Sequence, residues 1–392
     1  MSTGIAEHLV VTASAGAGGA APLSRLETVS AAEWRNLADN AAEPNPFFDP
    51  DYCQPAFAFA AKGGGAQVIA VRAEGRLLAL LPVVRARRAL RLPLPVLLAR
   101  QPYAPLTAPL LSADDPIGAA EALLDRAAAS GARVLSLPVM PLDGAAGQAL
   151  AAAMAKRGVA PVHLEIHERA VLDAGVDAET YLRGGMGAKK LKELRRQRHR
   201  LDEEGVVHFA SAQTREDVAA ALERFLLLEA SGWKGRDGTG LGQDEGDRAF
   251  VQAMAGNLSA RDALEVLELT LDGRVIASGL VLRQGGSAFF FKIAYDETLS
   301  RYSPGVQLTV ELTRRLSEDP AIAFADSTAD AGHPMIDHVW RERIRVADMV
   351  IPLRAGDPVA ATVIEILRLR RTLREGAKRL RNFFKSFKEK RL

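Results

Sequence analysis

The sequence predicts an α/β protein with two similar mixed-sheet domains in tandem and a basic helix at the C-terminus. Three observations lead there. The 392 residues exceed what one hydrophobic core ordinarily organises. Each half runs helices, then an antiparallel meander, then helix and strand, and that order marks an α/β domain. The last stretch, 367–392, holds eleven Lys/Arg against two Glu, a charge of +9 on a chain of net +2, so the remainder carries −7. With 48% apolar and 25% charged residues the chain is neither disordered nor fibrous. The single cysteine, Cys53, excludes an internal disulfide and points to a reducing compartment. The most apolar stretch, 92–111, carries Arg100 and five prolines and does not read as a bilayer span.

Residues 1–22, rich in Ala, Gly and Ser, read as a loose arm without the cationic start of a signal peptide. The first domain is expected over 23–175. Helices are predicted at 31–40 and from Asp49 through Ala60, and strands at 67–73 and 76–85 joined by the turn Glu74-Gly75. The proline-punctuated 92–111 is extended, followed by helix 115–130, strand 133–137, helix 147–157 and strand 165–172. A basic linker, 176–212, contributes a helix and a strand. The second domain, 213–356, repeats the order. Helix 214–232 leads to a glycine-rich loop at 233–242 and helix 244–257. Strands follow at 264–271, 274–282 and 287–295, turned by Asp272-Gly273 and Gln284-Gly285-Gly286. Pro304 opens a helix to Leu316. A short strand at 322–325, a loop running into a helix at 331–343, and a strand at 346–352 complete it.

Two runs of cations stand apart. Lys189–Arg200 holds seven Lys/Arg and one Glu along a thin Leu191, Leu194, Leu201 stripe, which reads as a solvated linker helix. An anionic-ligand surface is the sharper reading, with nucleic acid its weakest form because no recognition fold accompanies the run. In 357–392, Ile366, Leu369, Leu373, Ala377, Leu380, Phe384 and Phe387 recur at spacings of three or four, with Arg and Lys elsewhere. A basic amphipathic helix with Phe on its apolar face suits the plane of an anionic membrane. The alternatives are a helix docked on its own acidic body and a coiled-coil arm.

The second half carries specific strings: Trp233-Lys234-Gly235, Gly238-Thr239-Gly240-Leu241, Lys292-Ile293-Ala294-Tyr295-Asp296, Arg301-Tyr302-Ser303-Pro304-Gly305, and the stretch Asp326–Trp340. Their succession resembles the tandem-domain N-acyltransferases of the GNAT superfamily, which include proteins assigned to cellulose and exopolysaccharide biosynthesis. It is more distantly similar to the peptidoglycan aminoacyltransferases. Many relatives end the block with Gly and then Tyr-Lys before the Trp. Here Gly332 is followed by His333-Pro334-Met335-Ile336-Asp337-His338-Val339-Trp340. That departure turns attention from sugars to the related bacterial ceramide synthases, which acylate long-chain amines.

The resemblance implies an acyl-CoA (or acyl carrier protein) donor and an amine acceptor, with no metal and no covalent acyl-enzyme. The strand end at Ala294 and Tyr295 would present backbone N–H to the thioester oxygen. Arg301, Ser303, Gly305 and Val306 would receive the CoA pyrophosphate at a helix N-terminus. The superfamily pattern is Arg/Gln-x-x-Gly-x-Gly/Ala, and the present turn is one residue longer and lacks the second glycine.

From residue chemistry, His333, Asp337 and His338 are the candidate bases, since imidazole titrates near neutrality and Asp337, four residues on, would share a helical face with His333. Trp233 and Lys234 sit where a helix ends in a glycine-rich loop that can close on a substrate. A Trp plugging the core is the alternative. Lys292 interrupts a Phe-rich strand and either snorkels to an edge or faces the cleft. Phe47 and Tyr103, in proline-aromatic loops, would line an apolar acceptor site. The other five histidines, with Cys53, have no metal-site spacing.

The expectation is therefore a cytosolic enzyme, attached peripherally to the inner membrane through 367–392, that acylates a sphingoid-type lipid amine. An amino-sugar acetyltransferase and a tRNA-dependent aminoacyltransferase are the enzyme alternatives. A non-catalytic membrane-recruited scaffold is the reading that the imperfect phosphate turn favours.

Overall fold

Among the described residues thirteen strands form, and turn chemistry sets the hairpins among them. The computed structural model describes residues 23–389 apart from Lys62, Gly64 and Gln101, with side chains to Leu380 except Lys378. The arm expected over 1–22 lies outside the described residues, as do the side chains of Phe384 and Phe387. In the first half the strands are β1 (Ser24–Arg25), β2 (Gln67–Ala73), β3 (Arg76–Arg85), β4 (Val96–Ala99), β5 (Leu110–Leu111), β6 (Val134–Pro141) and β7 (Val162–Asp173). In the second they are β8 (Val207–Ala212), β9 (Leu264–Leu271), β10 (Arg274–Gln284), β11 (Ser287–Tyr295), β12 (Phe324–Asp326) and β13 (Glu342–Pro352). Glu74-Gly75, Asp272-Gly273 and Gly285-Gly286 all hold positive φ at both positions, the conformation that lets a two-residue turn follow the twist of its strands.

All of these strands join one sheet in the order β1-β2-β3-β4-β6-β13-β7-β12-β11-β10-β9-β8, with β5 on β3. The two halves exchange their last strands. β13 lies antiparallel to β6 in the first half, and the end of β7 lies antiparallel to β12 in the second. Between these anchors β7 and β13 pair with each other along Val162–Val171 and Glu342–Val350.

The main core also crosses between the halves. Helix Pro50–Ala58 packs on helix Glu245–Ser259, and Phe47, Tyr52, Phe250, Phe289 and Phe291 share one buried cluster. A second cluster on the opposite face gathers helix Pro304–Glu318, helix Ala188–Glu204 and the buried Trp340, whose indole N–H donates to Thr313. The basic linker is therefore a docked element, with Leu191, Leu194 and Leu201 buried on its inner face. The C-terminal helix, Pro358–Glu389, seats Ala360, Val363, Ile364 and Leu367 on Ala86, Val96, Val134 and Val350. Past that contact Leu369, Leu373 and Leu380 are exposed at 61%, 64% and 58%.

The linker holds two helices, Ala178–Met186 and Ala188–Glu204, where one was expected, and the stretch before β13 also differs. The helix expected toward Arg343 is only the turn Ile336–His338, because β13 starts at Glu342, earlier than the pattern from Val346 suggests. Burial of Val339 and Trp340 ends the turn and turns the chain into the sheet.

Candidate functional site

The site begins where two parallel strands part. β11 pairs with β12 only through Ser287, Ala288 and Phe289, yet it runs on to Tyr295. Beyond Phe289 that edge of β11 has no strand partner. Asp296 N–H donates to Ile276 on β10, so Ala294 and Asp296 face β10. Ile293 and Tyr295, alternating with them, point their N–H and C=O groups into the opening. The Ile293 carbonyl accepts Lys234 Nζ at 3.2 Å on that side.

A β-bulge shapes the same strand. Leu280 of β10 stands opposite Lys292 and Val281 opposite Phe290, leaving Phe291 as the extra residue. A bulge breaks the in-out alternation. Phe291 enters the main core, and Lys292 lies beside it with its Nζ 5.2 Å from the Phe291 ring centroid and 5.5 Å from that of Tyr103. No carboxylate of the described residues lies within ion-pair distance of Lys292 Nζ. Burial, reinforced by the Lys234 charge, lowers the amine to about 8, against the pull of Glu229, Asp330 and Asp247. Lysine at this pKa is part neutral near physiological pH and so can accept a proton.

Lys234, by contrast, is firmly paired. Its Nζ is 2.9 Å from Oε1 of the buried Glu229, whose Oε2 accepts the Leu241 N–H at 2.8 Å. Gly235 is needed here, since a Cβ would overlap the Ala230 carbonyl. Tyr103 holds a left-handed backbone, φ +66, and stacks on Phe250 at 5.6 Å. Its hydroxyl donates to Asp247, and burial together with that carboxylate pushes the phenol well up. Two amines and three carboxylates thus surround an aromatic wall contributed by both halves.

The loop after β12 closes the other side. Asp326 accepts the Thr328 N–H, and the Thr328 hydroxyl donates to Phe290 O at 2.7 Å. Arg169 of β7, 3% exposed, binds three points at once: Asp326 Oδ2 at 3.3 Å, the Ala329 carbonyl at 3.1 Å and the Pro105 carbonyl at 2.7 Å. It ties the Tyr103 loop to the Asp330 loop. His333 is half-buried in that loop. Burial lowers its imidazole, Lys234 adds to the effect, and Asp337 and Asp330 oppose it. Its Nδ1 accepts the Met335 N–H at 3.4 Å. No hydrogen bond joins the Asp337 carboxylate to the His333 ring among the described residues, and His338 is exposed.

The residues expected to hold the donor distribute differently. Tyr295 turns its backbone N–H into the opening, whereas the Ala294 N–H expected beside it faces β10, so Ala294 lines the opening without donating to it. A cavity of about 30 Å³ lies there, between Glu229, Trp233, Lys234, Ile293, Ala294 and Tyr295. Ser303, φ +52, caps helix Pro304–Glu318 without a side-chain bond, so the N–H groups of Gly305 and Val306 have no intrahelical acceptor. A Cβ on Gly305 would stand 2.9 Å from Met335 Sδ and 3.1 Å from the Tyr295 ring, so those side chains already cover it. Arg301 is turned away and pairs with Glu204 at 3.1 Å while stacking on Tyr302. Trp233 does not plug the core. It is 52% exposed on a short helical turn, Trp233–Arg236, held by Glu297. Phe47 is fully buried, edge-on to Tyr52 and Phe289, and backs the wall without reaching its surface.

Sequence reasoning missed Glu229, Asp247 and Arg169. The first two left a signal. Glu229 continues the Val218, Leu222, Phe225 stripe, and Asp247 stands three residues before Phe250 on the stripe to Met254. A carboxylate on an apolar helix face calls for a partner. Among the described residues no group of His, Cys, Asp and Glu is arranged to hold a metal ion.

Comparison with known proteins places this geometry. Residues 188–330 match the family model of the acetyltransferase (GNAT) domain. Similar solved structures include FemX, at 10% identity and TM-score 0.53, covering 87% of this chain and 98% of that one. Another is the C-terminal domain assigned to a lysylphosphatidylglycerol synthetase of Agrobacterium fabrum, at 14% identity and TM-score 0.51, covering 85% and 95%. A third is L-PGS from Bacillus licheniformis, at 14% and 0.51, covering 89% and 98%. No curated protein matches the sequence. At these identities the likeness is one of fold. The expected mixed α/β fold is the observed one; the GNAT domain is matched over 188–330, and the fold shared with these solved structures extends across both halves.

Proposed function

We propose that the protein is an N-acyltransferase that moves an acyl group from an acyl-CoA thioester to the amine of a long-chain, sphingoid-type lipid at a membrane surface. The observation that carries the reading is the parting of β11 from β12 beside a partly buried lysine that has no ion-pair partner among the described residues. Acyl-CoA would supply the activated acyl group. The Ile293 and Tyr295 backbone groups, and the free N–H groups at Gly305 and Val306, are the residues that would hold it. The N–H of Ile293, on the open edge, suits the oxygen on which negative charge develops. Asp247, Glu229 and Asp330 attract an ammonium acceptor. The acceptor ammonium first loses one proton to solvent and becomes the neutral nucleophile; Lys292 Nζ takes a second from that nitrogen as the C–N bond forms and the C–S bond breaks, and this second proton ends on the departing sulfur. Incubating the protein with palmitoyl-CoA and sphinganine should release free thiol and yield the amide by mass spectrometry. No thiol release above the amine-free rate would refute the reading.

His333 feels the charges of Lys234 and Asp330 and is assigned a relay to solvent. His333→Ala should slow turnover about tenfold. Asp337→Ala and His338→Ala should change the rate less than about twofold, because the one makes no hydrogen bond to the imidazole and the other faces solvent. Equal losses in all three would reject that division.

The lipid acceptor rests on the C-terminal helix, whose exposed leucines lie among arginines once the docked turns end. No helix of the described residues is long and apolar enough to cross a membrane. Deleting 368–392 spares the contact made by Ala360–Leu367, removes the Arg371 pairs with Glu165 and Asp348, and should weaken co-sedimentation with phosphatidylglycerol vesicles at least about tenfold. Undiminished sedimentation would remove the C-terminal helix as the membrane contact.

A second reading has one observation in its favour. With Arg301 paired to Glu204 and Gly305 covered, the pyrophosphate seat lacks a side-chain cation, and a donor other than CoA, such as an aminoacyl ester, fits that lack. Transfer from charged tRNA without thiol release would select it.

A further inference from the structure

The first half holds a cleft that neither donor nor acceptor accounts for. It measures about 1410 Å³ and is lined by Arg25, Arg85, Arg87 and Arg88, with Gln54 and Phe57 from helix Pro50–Ala58 on one wall. Glu27 is its one acidic lining residue. Elsewhere in the molecule arginines are extensively paired: Arg35, Arg72, Arg133, Arg157 and Arg169 each meet a carboxylate. Among the described residues, Arg25, Arg85, Arg87 and Arg88 meet none. Cationic side chains brought together without counter-charges repel one another, and a bound anion relieves that cost. The placement is also built. Arg85 is anchored by the Ser130 carbonyl at 3.3 Å. The Arg88 guanidinium lies directly on Gly65, φ +88, where any Cβ would overlap it. Guanidinium groups match phosphate oxygens in paired, planar hydrogen bonds, which favours phosphate over carboxylate ligands. The volume exceeds that of a lone phosphate ion several times over, and Phe57 and Leu26 offer apolar contact to whatever carries the phosphate.

We propose that this cleft is a binding site for a phosphate-bearing ligand, separate from the acyl-transfer site. The phosphate comes either on a soluble diphosphate ester or on a phospholipid headgroup. The second source fits the position of the docked C-terminal helix, which packs on Ala86, the neighbour of Arg85 and Arg87.

The test uses the full chain and its Arg87→Ala/Arg88→Ala variant, whose side chains are exposed and whose loss should leave the melting temperature within about 1 °C. Inorganic pyrophosphate is titrated calorimetrically at low salt, and phosphatidylglycerol vesicles are compared with phosphatidylcholine vesicles using protein shortened by 368–392. A soluble ligand predicts pyrophosphate binding that weakens at least tenfold in the variant. A headgroup predicts residual phosphatidylglycerol binding of the shortened protein that the same substitutions abolish. Gly65→Ala, which displaces Arg88, should weaken whichever signal is seen. Absence of both signals in the parent protein overturns the site, as does binding that the variant keeps in full.

Discussion

Replacing Lys292 by methionine should slow turnover by about 10²–10⁴-fold, the range a positioned general base supplies, while the protein melts no lower than the parent. Methionine keeps the length of the stem against Phe291 and Tyr103 and removes a charge that burial disfavours. A structural lysine would show the opposite pattern, with lost stability and kept rate. The pH dependence follows in sign. The amine works when neutral, and burial with the neighbouring Lys234 sets its titration near 8. The parent's kcat/KM should therefore rise with pH through about 8 and level above it. In Lys292→Met that limb should vanish from the residual activity. A parent profile flat from pH 7 to 9 would contradict the role.

The largest effect on stability is expected at Arg169. Substituting methionine strands the Asp326 carboxylate in a site 2% exposed and releases the Pro105 and Ala329 carbonyls. Removing one partner of a buried pair costs about 3–5 kcal/mol, readable as a shift in the urea midpoint. Arg169→Met combined with Asp326→Asn should recover part of the loss, because the uncompensated charge is gone. If the single variant unfolds within about 1 kcal/mol of the parent, Arg169 is not the tie between the Tyr103 and Asp330 loops.

These two residues also mark what the sequence made legible. Lys292 could be singled out because a cation interrupts Phe289-Phe290-Phe291, and the hairpins could be placed because Glu74-Gly75 and Asp272-Gly273 dictate their turns. Arg169 could not. Its strand alternates His, Glu and Arg with apolar residues, and nothing local distinguishes the arginine that turns inward. The bulge at Phe291 was equally hidden, since it depends on the register against β10. The pairing of Arg301 with Glu204 depends on helix Ala188–Glu204 docking beside the turn, a contact between segments far apart in the chain. Local chemistry was readable, and long-range pairing was not.

The exchange of terminal strands has a consequence for how the molecule comes to exist. β6 pairs with β4 on one edge but acquires its second neighbour only when Glu342–Pro352 has been made, and β12 pairs with a strand synthesised long before it. A ribosome that stops short of Glu342 leaves an apolar strand edge uncovered, the kind of surface that draws chains into aggregates. Each half expressed alone should therefore aggregate, while the two halves co-expressed should be recovered together.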